Sequence, residues 1–393
     1  LIYLQLIKWL YLLEKIDLYK WFEKNVIEDT KMKPDSLVYQ KFILPMRFPV
    51  DITTTKEGVN YLSNYIPEIF DKKTNKIYVY PSHDIEVAEP DTDDCGSQYA
   101  MRDYRVLSMD YIGGPVTIHD VALDLDDVPW AKRQFWAPDA AQKDGKYYLY
   151  FPTKDKEDIF RIGVAVSNKP EGPFKSTKNA IEGSYSMDPT VFQDDDGSYY
   201  MYFGGIWGGQ LQRWDEENNY TPSGCETQDN GIPNSPAISP RIAKMADDMI
   251  SFAEEVKPIR IIDKQGNPIL TKDHDRRFFE AAWVHKKDGV YYFSYSTGDT
   301  HYIVYATGDN PYGPFTYQGI LNNPVQGWTN HHSTIEINGK WYLFYHDTQL
   351  SGQSNLRNVK VAEFFHNEDG SIRTCLLYTS DAADEGLGVD LGG

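Results

Sequence analysis

The sequence predicts an all-β chain, and more narrowly a five-bladed β-propeller preceded by a helical N-terminal segment. Three observations carry that expectation. Aromatic residues make up 14% of the 393 residues, 29 of them Tyr, and they fall in short runs. Such residues favour the pleated, half-buried surface of a sheet. The runs also share one layout, an apolar strand, a polar turn, then an aromatic strand, and it occurs five times, at 68–80, 140–151, 190–203, 282–295 and 334–345. Finally, a strand ending in a Gly-Pro-Phe step follows two of these hairpins, at 162–174 and 303–315, with a weaker copy at Arg105–Asp110. Antiparallel units of about four strands, repeated with the same turn chemistry, are how propellers are written in sequence.

The hairpins can be taken in order. Their second strands begin near residues 77, 147, 199, 291 and 341. Asp144-Gly145, Asp288-Gly289 and Asn338-Gly339 are the residue pairs that two-residue hairpin turns favour, so the acidic tips have a turn-making job. Between the third and fourth units, residues 213–275 look like a long insertion, polar and Asn/Pro-rich at first, of the kind that shapes specificity over one face of a rigid scaffold.

The chain ends differ from this core. Residues 1–64 open with apolar positions at helical spacing and Lys and Glu opposite them, which predicts one or two amphipathic helices. This segment is either a packing appendage or a piece foreign to the domain at 65–374. Residues 375–393 lack strand alternation and end acidic and glycine-rich, as a disordered or vector-derived tail would.

Composition excludes several functions. A formal net charge of −19 argues against a nucleic-acid partner, which needs clustered cations, and suits a neutral substrate such as a carbohydrate. No run approaches the ~20 apolar residues of a membrane-spanning helix. Cys95, Cys225 and Cys375 lie far apart and in no metal-ligand spacing, so they are expected as isolated thiols. No leader is visible at the start, which makes the cytoplasm the default expectation for location, with a periplasmic or secreted location the alternative if a leader has been truncated. Oligomeric state leaves no trace in the sequence.

In a propeller the first strand of each blade lines the channel, so polar residues at its mouth converge on one axial pocket. Those mouths hold Ile66-Pro67, Trp136-Ala-Pro-Asp139, Met187-Asp-Pro189, Arg276-Arg-Phe-Phe-Glu-Ala-Ala-Trp283 and Asn330-His-His-Ser333. Glu280 stands among Phe and Ala, a setting that raises a carboxyl pKa as a general acid requires, although an ion pair with Arg276 or Arg277 would also account for it. Asp188 precedes Pro, which favours an extended backbone that aims the carboxyl at the pocket. Paired carboxyls from different blades suggest glycoside hydrolysis. Trp136, Trp207, Phe279 and Trp328 could offer faces for sugar stacking.

Trp136-Ala-Pro-Asp139, Ser186-Met-Asp-Pro189, Phe278-Phe-Glu-Ala-Ala-Trp283 and His331-His-Ser333, in this order on a five-fold repeat, resemble glycoside hydrolase family 43 from about Lys76 to Thr374. That family includes β-xylosidases and α-L-arabinofuranosidases. The resemblance implies inverting, exo-acting release of xylose or arabinofuranose from xylan or arabinoxylan oligosaccharides. It implies Glu280 as general acid and Asp188 as the residue that tunes and orients it. Arg357, in Leu356-Arg-Asn-Val359, reaches the substrate pocket by the same resemblance, and Asp139 joins the substrate-binding set. No cofactor is required; His331 matches an axial histidine that helps hold a calcium or other ion in the channel. One departure stands out. The family's base lies in an Asp-Pro step before the first hairpin, where this chain has Ile66-Pro67. Isoleucine cannot deprotonate water, so the expectation is sugar binding with impaired hydrolysis, and the alternative is a non-catalytic carbohydrate-binding propeller.

Overall fold

The computed structural model describes residues 50–51, 54–55, 58–59, 62–63, 68–87, 96–223 and 232–373. The helical segment expected at the N-terminus, Ile66, and the tail beyond 373 lie outside the described residues, as do all three cysteines. Within the described part the all-β expectation holds: strands dominate, joined by three short 3-10 turns and no α-helix. In the later, weakly patterned part of the segment that runs to residue 64, Val50–Asp51, Thr54–Thr55, Gly58–Val59 and Leu62–Ser63 are strands.

Among the described residues there are seven sheets, and five of them, built on antiparallel hairpins, follow one another along the chain. The first pairs Glu68–Asp71, Lys76–Val79, Leu107–Met109 and Thr117–Ile118 in meander order. The second runs Asp139–Lys143, Lys146–Asp155, Phe160–Ser167 and Lys175–Ser176. The third contains Thr190–Gln193, Tyr199–Phe203, Arg241–Lys244 and Lys257–Pro258. The fourth runs Glu280–Lys287, Val290–Ser296, Ile303–Gly308 and Phe315–Asn322. The fifth has His332–Ile337, Lys340–Asp347 and Asn358–His366, and its outer strand pairs with Val50–Asp51 from the other end of the chain.

The supposed insertion at 213–275 is corrected by this order. Arg241–Lys244 and Lys257–Pro258 are the third and fourth strands of the third sheet. They escape notice in the sequence because a buried ion, Arg241, opens the strand. Its guanidinium is satisfied by the Tyr185 hydroxyl and by the carbonyls of Ser239, Trp214 and Asp215.

Turn chemistry explains the repeat. Asp144 and Gly145, Asp288 and Gly289, and Asn338 and Gly339 all have positive φ, between 51° and 81°. A two-residue turn of that type matches the right-handed twist of its strands. In three of the hairpins a tyrosine near the start of the second strand ties sheet to sheet. The Tyr199 hydroxyl donates to the Gln142 carbonyl of the second sheet at 3.0 Å, and the Tyr291 hydroxyl to Asp194 Oδ2 of the third at 2.5 Å. Tyr147 stands in the same relation to Asp71 of the first.

At the opposite end of the strands a second set of ties runs the same way. Asp139 accepts the Val191 amide, Asp188 accepts the Ala281 amide, and Trp283 Nε1 donates to Thr334 Oγ1. The first strands of successive sheets touch in sequence, and the fifth touches the first.

Candidate active site

A cavity of about 660 Å³ opens where the first strands begin. Trp136, Asp188, Trp207, Phe279, Glu280, Trp328, His331 and Arg357 line it, so eight of the residues singled out in the sequence come together. Tyr99, Met187, Thr329 and Ser354 also line it, with Ile206 and, from the loop after Phe203, Gly208 and Gly209 among the rest. Met187 belongs to a strand mouth read in the sequence; nothing in the repeats marks Tyr99, Thr329 or Ser354.

Asp188 and Glu280 enter from adjacent sheets, and unusual backbone aims both. Asp188 has φ +57°, so the extended conformation expected before Pro189 is wrong: the residue is left-handed. Ala281 has φ +61°, and the register slips between Glu280 and Trp283. Non-glycine residues in this region carry strain, and they persist where surrounding contacts over-determine them. Here the Ala281 amide donates to Asp188 Oδ2 at 3.0 Å, so each bend holds the other. Below them the loop after Phe203 packs against Met187. A Cβ on Gly205 or Gly209 would come within 2.1 or 2.5 Å of the Met187 methyl carbon. Ser186 Oγ accepts the Gly205 amide and donates to the Gly209 carbonyl.

Electrostatics set the protonation. Burial pushes Glu280 up to about 7, with the positive Arg357 pulling the other way. Burial raises Asp188 well above the carboxylate range, the Glu280 charge adds to that, and the Ala281 amide and Arg357 oppose it. Two carboxyls so placed retain a proton near neutrality, because ionising both would bring like charges together in a dry site. Neither Arg276 nor Arg277 pairs with Glu280; they face Asp273 and Asp299 respectively.

Aromatic rings form one wall. Trp207 meets Phe279 edge-on at 5.1 Å and Trp328 at 6.0 Å. Phe279 is buried, while Trp328 is 39% exposed at the rim. Trp136 lies across, tied by Nε1 to the Tyr99 carbonyl and packed on Phe160. Asp139 is the exception among the expected binding residues. It is buried away from the cavity, its carboxyl accepts the Val191 amide, and burial raises its pKa to about 8. It fastens the second sheet to the third. Counting back from the turn glycine separates the two roles: Trp136, Asp188 and Glu280 each stand nine residues before Gly145, Gly197 and Gly289, and Asp139 does not.

His331 is buried with Nε2 3.8 Å from Asp188 Oδ2. Burial and the neighbouring His346 and His332 hold its pKa well below the usual value, so the ring is neutral. Calcium takes six to eight oxygen ligands. Among the described residues no three His, Cys, Asp or Glu side chains converge as a metal site. One imidazole and one carboxyl do not make that donor set, and no chemical step is assigned to a metal.

Arg357 is fully buried, its guanidinium 4.7 Å from the centre of the Tyr99 ring. Its partner is Asp84, a residue that carries no motif. Asp84 Oδ1 takes Nη2 at 2.7 Å, and Oδ2 takes Nε at 2.9 Å and the Arg357 amide at 2.8 Å.

Comparison with known proteins agrees with this geometry. The model of glycosyl hydrolases family 43 matches residues 117–372. A xylosidase/arabinosidase of Humicola insolens is 57% identical over 304 residues, 76% of this chain and 93% of the relative. One of Bacteroides ovatus is 51% identical over 321 residues, 80% and 95% of the two chains. Among solved structures, a β-xylosidase/α-arabinofuranosidase from a compost microbial metagenome, in complex with xylotriose and in calcium-free form, superposes with a TM-score of 0.78. It is 61% identical and covers 83% of this chain and 98% of its own. Site geometry and relatives converge: this chain belongs to glycoside hydrolase family 43.

Proposed function

We propose that this chain is an exo-acting pentosidase that releases xylose or arabinofuranose from xylan-type oligosaccharides with inversion. The observation that carries the reading is the buried pair of Asp188 and Glu280 at the floor of an aromatic-walled cavity. Glu280, with its pKa raised to about 7, is the group able to hand a proton to the departing glycosidic oxygen. Asp188 orients it by accepting the amide of Ala281, the next residue in the chain, and the pair retains one proton near neutrality. Trp207, Phe279 and Trp328 receive sugar faces, and Arg357 donates to sugar hydroxyls. The five sheets, with first strands touching in a cycle, support a five-bladed propeller around this pocket. Relatives that bear xylosidase and arabinosidase names support the substrate class.

Inversion also needs a carboxylate to activate water on the opposite sugar face. Among the described residues lining the cavity, the carboxyls are Asp188 and Glu280, and the family's base position holds Ile66. The chain is therefore expected to bind xylotriose and to turn over slowly. Kinetics on paired aryl xyloside and aryl arabinofuranoside substrates test this. Ile66→Asp should raise kcat by about a hundredfold, the scale of a positioned base. An unchanged rate in that variant, or fast hydrolysis by the parent chain, would reject the assignment of the base position.

A further inference from the structure

We propose that Gln98, Trp328 and Ser354 form a second sugar subsite at the rim of the cavity, which takes the leaving part of a xylan-type oligosaccharide. The inference rests on the pentosidase reading above and deepens it: the floor receives the terminal sugar and the rim the next one.

Burial marks the division. Asp188, Glu280 and Phe279 are buried at the floor. Trp328 is 39% exposed, and Gln98 and Ser354 are exposed as well, although all three line the same cavity. A chain whose terminal sugar reaches the buried acids must pass its remaining units over the exposed part of the wall. Glu280 protonates the departing glycosidic oxygen, so the unit beyond that oxygen is the leaving group. Pockets for such ligands combine apolar faces with a few polar groups that fix orientation. Trp328 supplies the face, and the Gln98 amide and Ser354 hydroxyl supply the polar groups. Neither of those two side chains is hydrogen-bonded among the described residues. Being exposed, both can exchange water for sugar hydroxyls without leaving a buried group unpaired.

Exposed side chains discriminate only if their backbone is held, and here it is. Gln98 sits in the turn 96–99, closed by the Tyr99 amide on the Gly96 carbonyl at 2.8 Å. Gln134 Nε2 donates to that Gly96 carbonyl, and Trp136 Nε1 to the carbonyl of Tyr99. A Cβ on Gly96 would lie 2.7 Å from the Trp136 ring, so the turn rests directly on the cavity wall. Ser354 belongs to the loop 348–357. Ser351 Oγ knits that loop by donating to the Leu356 carbonyl and accepting the Gln353 amide. The same loop is fastened to the one that carries Trp328, since the Thr348 amide donates to the Gln326 carbonyl at 2.9 Å. Trp328 itself packs on Trp207, Phe279 and His301, with ring centres 5.8 to 6.0 Å away. All three rim residues lie outside the five hairpins. The repeat builds the floor, and unrepeated loops build the rim.

The test compares xylose, which fills only the floor, with xylotriose, which spans both parts, by calorimetric titration of the full chain. Q98A/S354A should weaken xylotriose binding by about fivefold, the scale of two exposed hydrogen bonds, and leave xylose binding within about twofold. W328A should weaken xylotriose binding by about tenfold, and W328F, which keeps an aromatic face, should restore most of it. Equal losses for the two sugars would overturn the proposal, because the residues would then serve the floor or the stability of the wall. Unchanged xylotriose binding in Q98A/S354A would overturn it as well. Should W328A fail to fold, the exposed pair decides alone: a loss confined to xylotriose upholds the rim, and any other result removes it. A parent chain that binds neither sugar sinks the pentosidase reading itself. A parent that binds both, with variants that do not discriminate, removes only the rim.

Discussion

Glu280 illustrates how one residue's surroundings decide both its chemistry and its cost to the fold. Its carboxyl titrates near 7 against an ordinary 4.5 because burial penalises the charged form. Catalysis that requires the protonated acid should therefore fall as pH rises through about 7. Stability carries the same sign. A folded-state pKa raised above the unfolded one contributes stability that is fully present below about 4.5 and is lost as pH climbs through about 7. E280Q should accordingly reduce xyloside turnover by at least about a hundredfold. Its melting temperature should match the parent at pH 4 and exceed it at pH 8. Melting curves at the two pH values check the second point, and an equal difference at both would contradict the burial argument. Asp188 shares that burial, so the rise at pH 8 is partial while its partner remains in place.

Two elements hold this site, and each can be loosened separately. The fourth sheet carries Phe279 against the turn that follows Ser296. A Cβ on Gly298 would lie 2.2 Å from that ring, and the residue has φ +72°. Gly298→Ala should cost about 1–3 kcal/mol from overpacking and backbone strain. It should also raise KM for xylosides, because the aromatic wall shifts. At the far end of the same sheet, the Tyr291 hydroxyl and Lys286 Nζ close on Asp194 of the third sheet. Tyr291→Phe should cost about 1–2 kcal/mol in chemical denaturation, since the bond is to a charged acceptor. Its kcat/KM should stay within twofold of the parent, an expectation that rests on the general insensitivity of distant contacts. Four of the five hairpins were legible in the sequence through an Asp-Gly or Asn-Gly turn, a chemistry with few substitutes. The third sheet's outer strands were not, since Arg241 breaks the apolar pattern and finds its partners at Tyr185, Ser239, Trp214 and Asp215. Asp139 was misplaced for a related reason: it stands beside a motif tryptophan but at a register that meets the neighbouring sheet.

At the scale of the whole molecule, what the sequence shows most clearly is what repeats. The five hairpins and the cavity residues at their mouths are legible because the same local physics recurs. Asp84 is not, because its meaning depends on Arg357, 273 residues away in the chain. Left-handed Asp188 and Ala281 are also invisible locally, since Pro189 argues for extended backbone at Asp188 and alanine does not ask for positive φ. The bond between them has a consequence for measurement. The Ala281 amide belongs to the fourth sheet, yet its acceptor is a side chain of the third. Its proton can exchange with solvent only when those two sheets part, or when Asp188 lets go. A single amide, followed by NMR in deuterated water, would thus serve as a gauge of whether the reacting groups are assembled, in the absence of any sugar.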